Sequence, residues 1–297
     1  MSSQDRRSQP FSKPDTTPGS KEAAVQLTYL GTNSLLIRKS GSTVMVDPHF
    51  SRPRLRELIR KVSPNTQTIA AELDRNGVDH MDGVLLTHTH YDHALDAPEV
   101  LRQVGGALYG CDSARNLVDH SGFENLGYVQ ITPGTAYQVG AFQVIFHPSR
   151  HLPFPAPINW LMSMDGQITQ GLKPPAWFWD YRCGTVSAIQ VDRTLIFGSA
   201  GYEKGAYRHL DIDHVVLGIG GLDLKPKSYL HLLYQEAVLL SGAKSVYLSH
   251  WDNFFQPVEK NLTAHVLARQ TIQRVKQLGR HHGQSIHLLN YGVAISI

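Results

Sequence analysis

Short apolar and β-branched runs recur along the chain, and turn-forming residues punctuate them. Residues 25–31 (VQLTYLG), 34–40 (SLLIRKS) and 42–50 (STVMVDPHF) are β-rich runs separated by Gly, Asn and Ser, so the chain opens with antiparallel strands. Residues 52–62 (RPRLRELIRKV) have helical spacing. GVLLTHTH (83–90) is a continuous apolar run that stops abruptly in polar residues, as a buried strand feeding a loop would. DAPEVLRQVGG reads as a helix, ALYGC as a strand and SARNLVDHSG as a helix, followed by the strands YVQIT, TAYQV and FQVIFHP. Strands resume with TVSAIQV, TLIFGSA and HVVLGIG. The amphipathic helices YLHLLYQEAVLLSG and VEKNLTAHVLARQTIQRVKQLG flank a strand SVYLS, and QSIHLLNYGVAISI closes the chain as a strand pair.

The strands form two blocks, each followed by helices, with no linker between them. Two sheets packed together with helices outside satisfy this order, which predicts an α/β fold, an αββα sandwich. Between the blocks, residues 152–180 lose periodicity and become rich in Pro and aromatic residues. A segment of that length without periodicity is functional or disordered, and Trp160, Trp177, Phe178 and Trp179 argue against disorder. It is either a lid or substrate wall, or packing that pins a long loop. Residues 1–23 are polar, lack the apolar stretch of a secretory signal and are expected to be a flexible tail, leaving 24–297 as one domain.

Composition narrows the function classes. With 41% apolar and 18% charged residues, the chain of 297 residues can bury a substantial core. The formal charge of +3 and the absence of a Lys/Arg run give nucleic-acid binding no support. No apolar stretch reaches the length of a membrane span, and the expected location is cytoplasmic. Cys111 and Cys183 cannot supply a disulfide framework or a thiolate zinc site. The 16 histidines are the unusual count, and several of them end apolar runs.

His88, His90, Asp92 and His93 fall within six residues at the end of an apolar strand. Alternation along an extended chain points His88 and His90 to one side, and the turn that follows brings Asp92 and His93 toward the same space. Imidazoles with a carboxylate suit zinc, manganese or iron. The plainer alternative is a polar loop whose histidines cap the next helix.

At His88-Thr89-His90-Tyr91-Asp92-His93 the chain resembles the metallo-β-lactamase superfamily, whose HxHxDH pattern it matches in full. Asp47, at the end of STVMVDP, matches the aspartate that orients the metal-binding loop in that family. The resemblance implies further ligands downstream. His151, after FQVIF, sits where the third-motif histidine is expected, with His147 as its rival nearer the strand body. His250, in VYLSHWDNF, matches the last ligand histidine. An aspartate bridging two metals is also implied, in a context resembling GDTGY. Here that stretch is Gly198-Ser199-Ala200-Gly201-Tyr202, so serine replaces the carboxylate and two-metal occupancy is weakened. The expected cofactor is one or two divalent ions, with zinc first and manganese or iron as alternatives.

His231, followed by Glu236-Ala237, together with His250-Trp251-Asp252 and WFWDY, is similar to the branch holding N-acyl-phosphatidylethanolamine-hydrolysing phospholipase D and the L-ascorbate-6-phosphate lactonases. That resemblance implies a hydrolase acting through metal-bound hydroxide on a phosphodiester, ester or lactone of a small-molecule or lipid-like substrate. Asp92 would orient the nucleophile, and His231 would assist the leaving group unless it is only a helix-terminal residue making a local hydrogen bond. Two other classes stand beside this one. A mononuclear iron oxidoreductase uses a related fold, although His90 argues against the diiron flavin-linked variant. A non-catalytic metal- or ligand-binding protein is suggested by Ser199, against which every other expected ligand is present.

Overall fold

The computed structural model describes residues 24–154, 163–258 and 262–297. The tail expected at 1–23 and Trp160 of the aromatic segment lie outside the described residues. Two seven-stranded mixed sheets face one another with helices outside, which is the αββα layering expected.

The first sheet begins with three antiparallel strands, β1 (Gln26–Tyr29), β2 (Leu35–Lys39) and β3 (Ser42–Val46). It continues in parallel through β4 (Gly83–Leu85), β5 (Ala107–Gly110) and β6 (Gly127–Gln130). The second sheet holds the antiparallel run β7 (Ala136–Val139), β8 (Phe142–Pro148), β9 (Ser187–Val191) and β10 (Thr194–Phe197). Parallel strands follow: β11 (His214–Gly218), β12 (Ser245–Ser249) and β13 (Ser285–Leu288). The last strand, β14 (Ala294–Ser296), returns to the first sheet and pairs antiparallel with β1. The closing strands are therefore not the pair the sequence suggested. Each sheet has three antiparallel pairings followed by three parallel ones.

Alternation assigns the faces. Leu35, Ile37, Val44 and Val46 point into the core between the sheets, while their neighbours Leu36 and Met45 point outward. That outer face is covered by α1 (Thr66–Arg75), α3 (Ala97–Val104) and α4 (Asp112–Asp119), with the single turn α2 (Tyr91–Ala94) between α1 and α3. The second sheet is covered by α5 (Lys227–Tyr234), which runs on into a π-helical turn over Gln235–Leu239, and by α6 (Arg269–His282).

Two helical expectations fail for identifiable reasons. In 52–62 only a 3₁₀ turn at Leu55–Glu57 forms. Arg52 takes a positive φ of 42° and sends its guanidinium into a buried ion pair with Asp252, while Leu55 and Ile59 stay 64% and 76% exposed. With half of the apolar stripe unpartnered, a helix there has no core to pack on. The helix expected from 258 starts at Arg269, because the Asp223 carboxylate accepts from Gln270 N, Thr271 N and Thr271 Oγ1 and caps it there. The stretch before the helix pairs instead with 251–253, through Asn253 N to Thr263 O and His265 N to Trp251 O, both 2.8 Å. In turn, α1 is announced only by its cap, Asn65, whose Oδ1 accepts from Thr68 N at 3.1 Å.

Candidate metal centre

Asp47 organises the floor of the centre. Directly after β3 it adopts a φ of 44°, a conformation that costs a non-glycine residue on the order of 1 kcal/mol. Four buried hydrogen bonds offset that cost. Oδ1 accepts from Thr87 N at 2.8 Å, and Oδ2 accepts from Thr87 Oγ1 at 2.6 Å, from Asn33 Nδ2 at 2.8 Å and from His93 Nδ1 at 2.8 Å. Asn33 extends the network by accepting from Ser249 Oγ at 2.7 Å, one residue before His250. One carboxylate thus ties the loops after β3, β4 and β12 together. Gly198, at the end of β10, makes room for it: a Cβ there would lie 2.0 Å from Thr87 Oγ1 and 2.9 Å from Asp47 Oδ2.

The loop after β4 carries His88 and His90, and α2 carries Asp92 and His93. β4 ends at Leu85 because the backbone beyond it is taken by other segments. Ser187 N donates to Thr87 O at 2.8 Å, and Thr89 N donates to Cys183 O at 2.9 Å. His151 follows β8 and His250 follows β12, so the six side chains lie beyond the ends of β4, β8 and β12 on one edge of the sandwich, the usual place for a site in a parallel sheet.

The side chains converge in two groups, His88 with His90 and His151, and Asp92 with His93 and His250. Within each group the ligand atoms lie within 4.8 Å of one another. The donor chemistry fits metal ions. A ligating imidazole ordinarily has its other nitrogen held by the protein, which fixes the tautomer and the ring. Here His88 Nδ1 is 3.0 Å from Thr87 Oγ1, a hydroxyl already donating to Asp47, so the imidazole donates and Nε2 is left for a ligand role. His90 donates through Nε2 to Ser163 O at 2.7 Å, freeing Nδ1. His151 Nδ1 lies 3.1 Å from Leu152 O, and His93 Nδ1 donates to Asp47. His250 places Nε2 3.3 Å from Asp92 Oδ2 while its Nδ1 is buried against Gly220, where a Cβ would come within 2.7 Å.

Electrostatics separate the groups. Burial lowers His88 well below the ordinary imidazole range, His90 to about 4 and His151 to about 3, so these rings are neutral near pH 7. Burial also acts on His93, but the Asp92 and Asp47 carboxylates outweigh it and raise its pKa. Burial alone would raise Asp92; the neighbouring His93 and His250 hold it well below the usual carboxylate range instead.

The other expected residues fall as follows. Ser199 lines the cleft, and its Oγ accepts from Leu152 N at 3.0 Å, pinning the segment after His151. His147 stays in β8, 2.8 Å from Gln190 Oε1, and takes no part in either group. His231 requires correction: it is exposed on α5 and lines a separate cleft with Lys227, Arg269 and His281, away from the metal floor. The Glu236 that suggested its role is buried and accepts from Gly205 N at 2.8 Å, a structural bond. The residue that sequence reading missed is His265, which lines the cleft beside Phe254 and Phe255.

Layers and ligand loops together define the class: this is the metallo-β-lactamase fold, with a histidine-rich centre at its strand ends. Residues 27–148 match the model of the metallo-beta-lactamase superfamily, a stretch that includes Asp47 and the run from His88 to His93 and ends before His151. Two curated relatives are both named UPF0173 metal-dependent hydrolase. The one from Rubrobacter xylanophilus is 24% identical over 179 residues, 58% of this chain and 62% of its own length. The one from Ignicoccus hospitalis is 25% identical over 103 residues, 35% of this chain and 39% of its own length. The chain therefore spans less than two thirds of either relative. Among solved structures, a metallo hydrolase from Ignicoccus hospitalis shares the fold with a TM-score of 0.56 at 16% identity, covering 92% of this chain and 98% of that one. An isothiocyanate hydrolase from Delia radicum gut bacteria has a TM-score of 0.53 at 16% identity, with 92% and 100% covered. The diiron β-hydroxylase CmlA from Streptomyces venezuelae has a TM-score of 0.53 at 15% identity, with 95% and 55% covered. No helix among the described residues is long and apolar enough to cross a membrane.

Proposed function

We propose that the protein is a metal-dependent hydrolase, with one ion held by His88, His90 and His151 and a second by Asp92, His93 and His250. The observation that carries this reading is the convergence of six buried or half-buried His and Asp side chains in two groups, five of them lining one cleft. Five imidazoles with one carboxylate suit zinc first, then manganese or iron. Ions held by these residues would supply Lewis-acid activation of water toward a phosphodiester, ester or lactone.

The chain's own residues do the positioning. Asp92, ionised by its histidine neighbours, accepts a hydrogen bond from the attacking water and orients it. Asp47 holds His93 and Thr87, and through Thr87 it fixes His88. Ser199 brings no charge to the position where a bridging carboxylate is expected, so occupancy of the two groups is uneven. With His231 outside the cleft, protonation of the leaving group falls to bulk water or to the substrate itself.

Elemental analysis of protein purified without added metal or chelator tests the reading. One or two zinc or manganese ions per chain, with ester or phosphodiester turnover lost on chelation and restored by the metal, is the expected result. One iron per chain would favour the oxidoreductase class instead. Protein that takes up no metal even on reconstitution would refute both and leave a binding protein.

A further inference from the structure

Above the floor, the cleft changes character. It encloses about 370 Å³. Leu58, Leu152, Phe154, Met164, Phe178 and Phe254 form its walls, and no Lys or Arg is among its described lining residues. Among the described lining residues the one carboxylate besides Asp92 is Asp252, and it is consumed internally. It accepts from Tyr29 OH at 2.5 Å and Thr32 N at 2.8 Å, and it pairs with the buried Arg52. A sugar, a nucleotide or a phosphomonoester lying against these walls would leave its polar groups unpaired and desolvated.

Tyr91 and His265 bring polar groups to this apolar lining, and His265 is the one set beside Phe254 and Phe255. Its Nδ1 accepts from Leu267 N at 3.2 Å, which places the proton of the neutral ring on Nε2. Burial lowers the pKa of this ring, in keeping with the neutral form. Nε2 has no hydrogen-bond partner among the described residues and is not sealed off in the interior. The ring lies nearly parallel to Phe254, 6.0 Å away at 22°, and Phe254 in turn meets His250 edge-on at 5.2 Å. His265 therefore stands one aromatic layer out from a metal-ligand candidate. A substrate whose reacting group lay on the metal floor would meet His265 with the part beyond that group.

We infer that the cleft selects a substrate whose flank is uncharged and apolar and bears one hydrogen-bond acceptor, met by Nε2–H of His265. This rests on the hydrolase reading for the word substrate, but the selection itself is a binding property. A donor held in an apolar wall discriminates between ligands, because one lacking the acceptor leaves that donor unpaired.

Two naphthalenes that differ by one carbonyl oxygen test it by equilibrium binding to the protein as purified. 2-Acetylnaphthalene is expected to bind about tenfold more tightly than 2-ethylnaphthalene. The His265→Phe variant, which keeps the stack on Phe254, should erase that preference and leave 2-ethylnaphthalene within about threefold of the parent. The His265→Gln variant, which restores a donor near the Nε2 position, should recover it. In the unaltered protein, the Nε2–H resonance of His265 should shift with the ketone and stay in place with the hydrocarbon, a readout needing no variant. Equal affinities, a preference that survives His265→Phe, an unmoved Nε2–H resonance, or no saturable binding of either naphthalene would overturn the inference. None of these readouts uses turnover or metal content, so failure here is separable from failure of the hydrolase reading.

Discussion

The two ligand groups share a floor but differ in how they manage charge. His88, His90 and His151 are neutral, buried donors whose outer nitrogens meet a hydroxyl and two backbone carbonyls. Asp92, His93 and His250 form a cluster that balances its own charge, with His93 Nδ1 backed by Asp47. The first group offers a dication no anion at all. The second offers one carboxylate directly and another through His93. A carboxylate at position 199 would narrow that difference, and Ser199 preserves it. The lesson is that replacing one bridging residue affects one group more than the other, and that the groups can be separated experimentally.

The strongest separation comes from removing half of the first group. His88→Ala combined with His90→Ala should lower turnover about 10³-fold or more and remove one ion per chain, leaving the Asp92 group loaded. Elemental analysis alongside initial rates gives the answer. Loss of both ions would mean that the groups bind cooperatively and that the contrast drawn between them is wrong.

Next in size is Asp47→Ala. It strips a buried carboxylate from four donors, two of them on Thr87, one on Asn33 and one on His93. Leaving those donors unpaired should cost roughly 3 kcal/mol in urea unfolding, and the ion of the Asp92 group should be lost before the other. Equal loss from both groups would show that Asp47 supports the whole loop and not His93 in particular.

Much of this is legible in the sequence. The run from His88 to His93 is local, so its convergence needs only an extended strand and one turn, and period-two alternation placed β1 to β3. What was not readable depends on segments distant in sequence. Nothing in RPRLRELIRKV says that Arg52 will be drawn to Asp252, 200 residues on, and leave the apolar stripe without a partner. His265 was hidden because the residues before α6 carry helical spacing. Their actual conformation is fixed by pairing with 251–253 and by the Asp223 cap, neither of which has a local signature. His231 failed for a related reason, since a Glu-Ala pair in sequence does not reveal that Glu236 is already bonded to Gly205.

A pH series on chelated protein sharpens the contrast further. The first group's pKa values are depressed in the fold, with His90 at about 4 and His151 at about 3, against about 6.5 unfolded. Their contribution is therefore fully present above pH 6.5. It is lost as pH falls from 6.5 toward 4, because the unfolded chain takes up protons that the folded chain refuses. For His90 alone the loss approaches roughly 3 kcal/mol. His93 is raised, so its contribution has the opposite sign: present below about 6.5 and lost as pH rises through its folded value. The urea midpoint should fall between pH 7.5 and pH 5.5, and His90→Gln should flatten that fall. A midpoint independent of pH would mean that the first group's rings are not held neutral.

The smallest effect is the most direct test of the asymmetry. Ser199 lines the cleft with its Oγ accepting from Leu152 N at 3.0 Å, and an aspartate at the same position can keep that bond with one oxygen and turn the other toward the ions. Ser199→Asp should therefore raise affinity for the weaker-bound ion about tenfold, read as a shift in the metal concentration that half-loads the second equivalent. In the metal-free protein the same substitution adds a further carboxylate to the cleft that holds Asp92 and should cost about 1 kcal/mol, so metal dependence and apo stability move in opposite directions. If the second ion binds no more tightly, the carboxylate does not reach both groups. The weak point would then be the all-imidazole group itself, not the missing bridge.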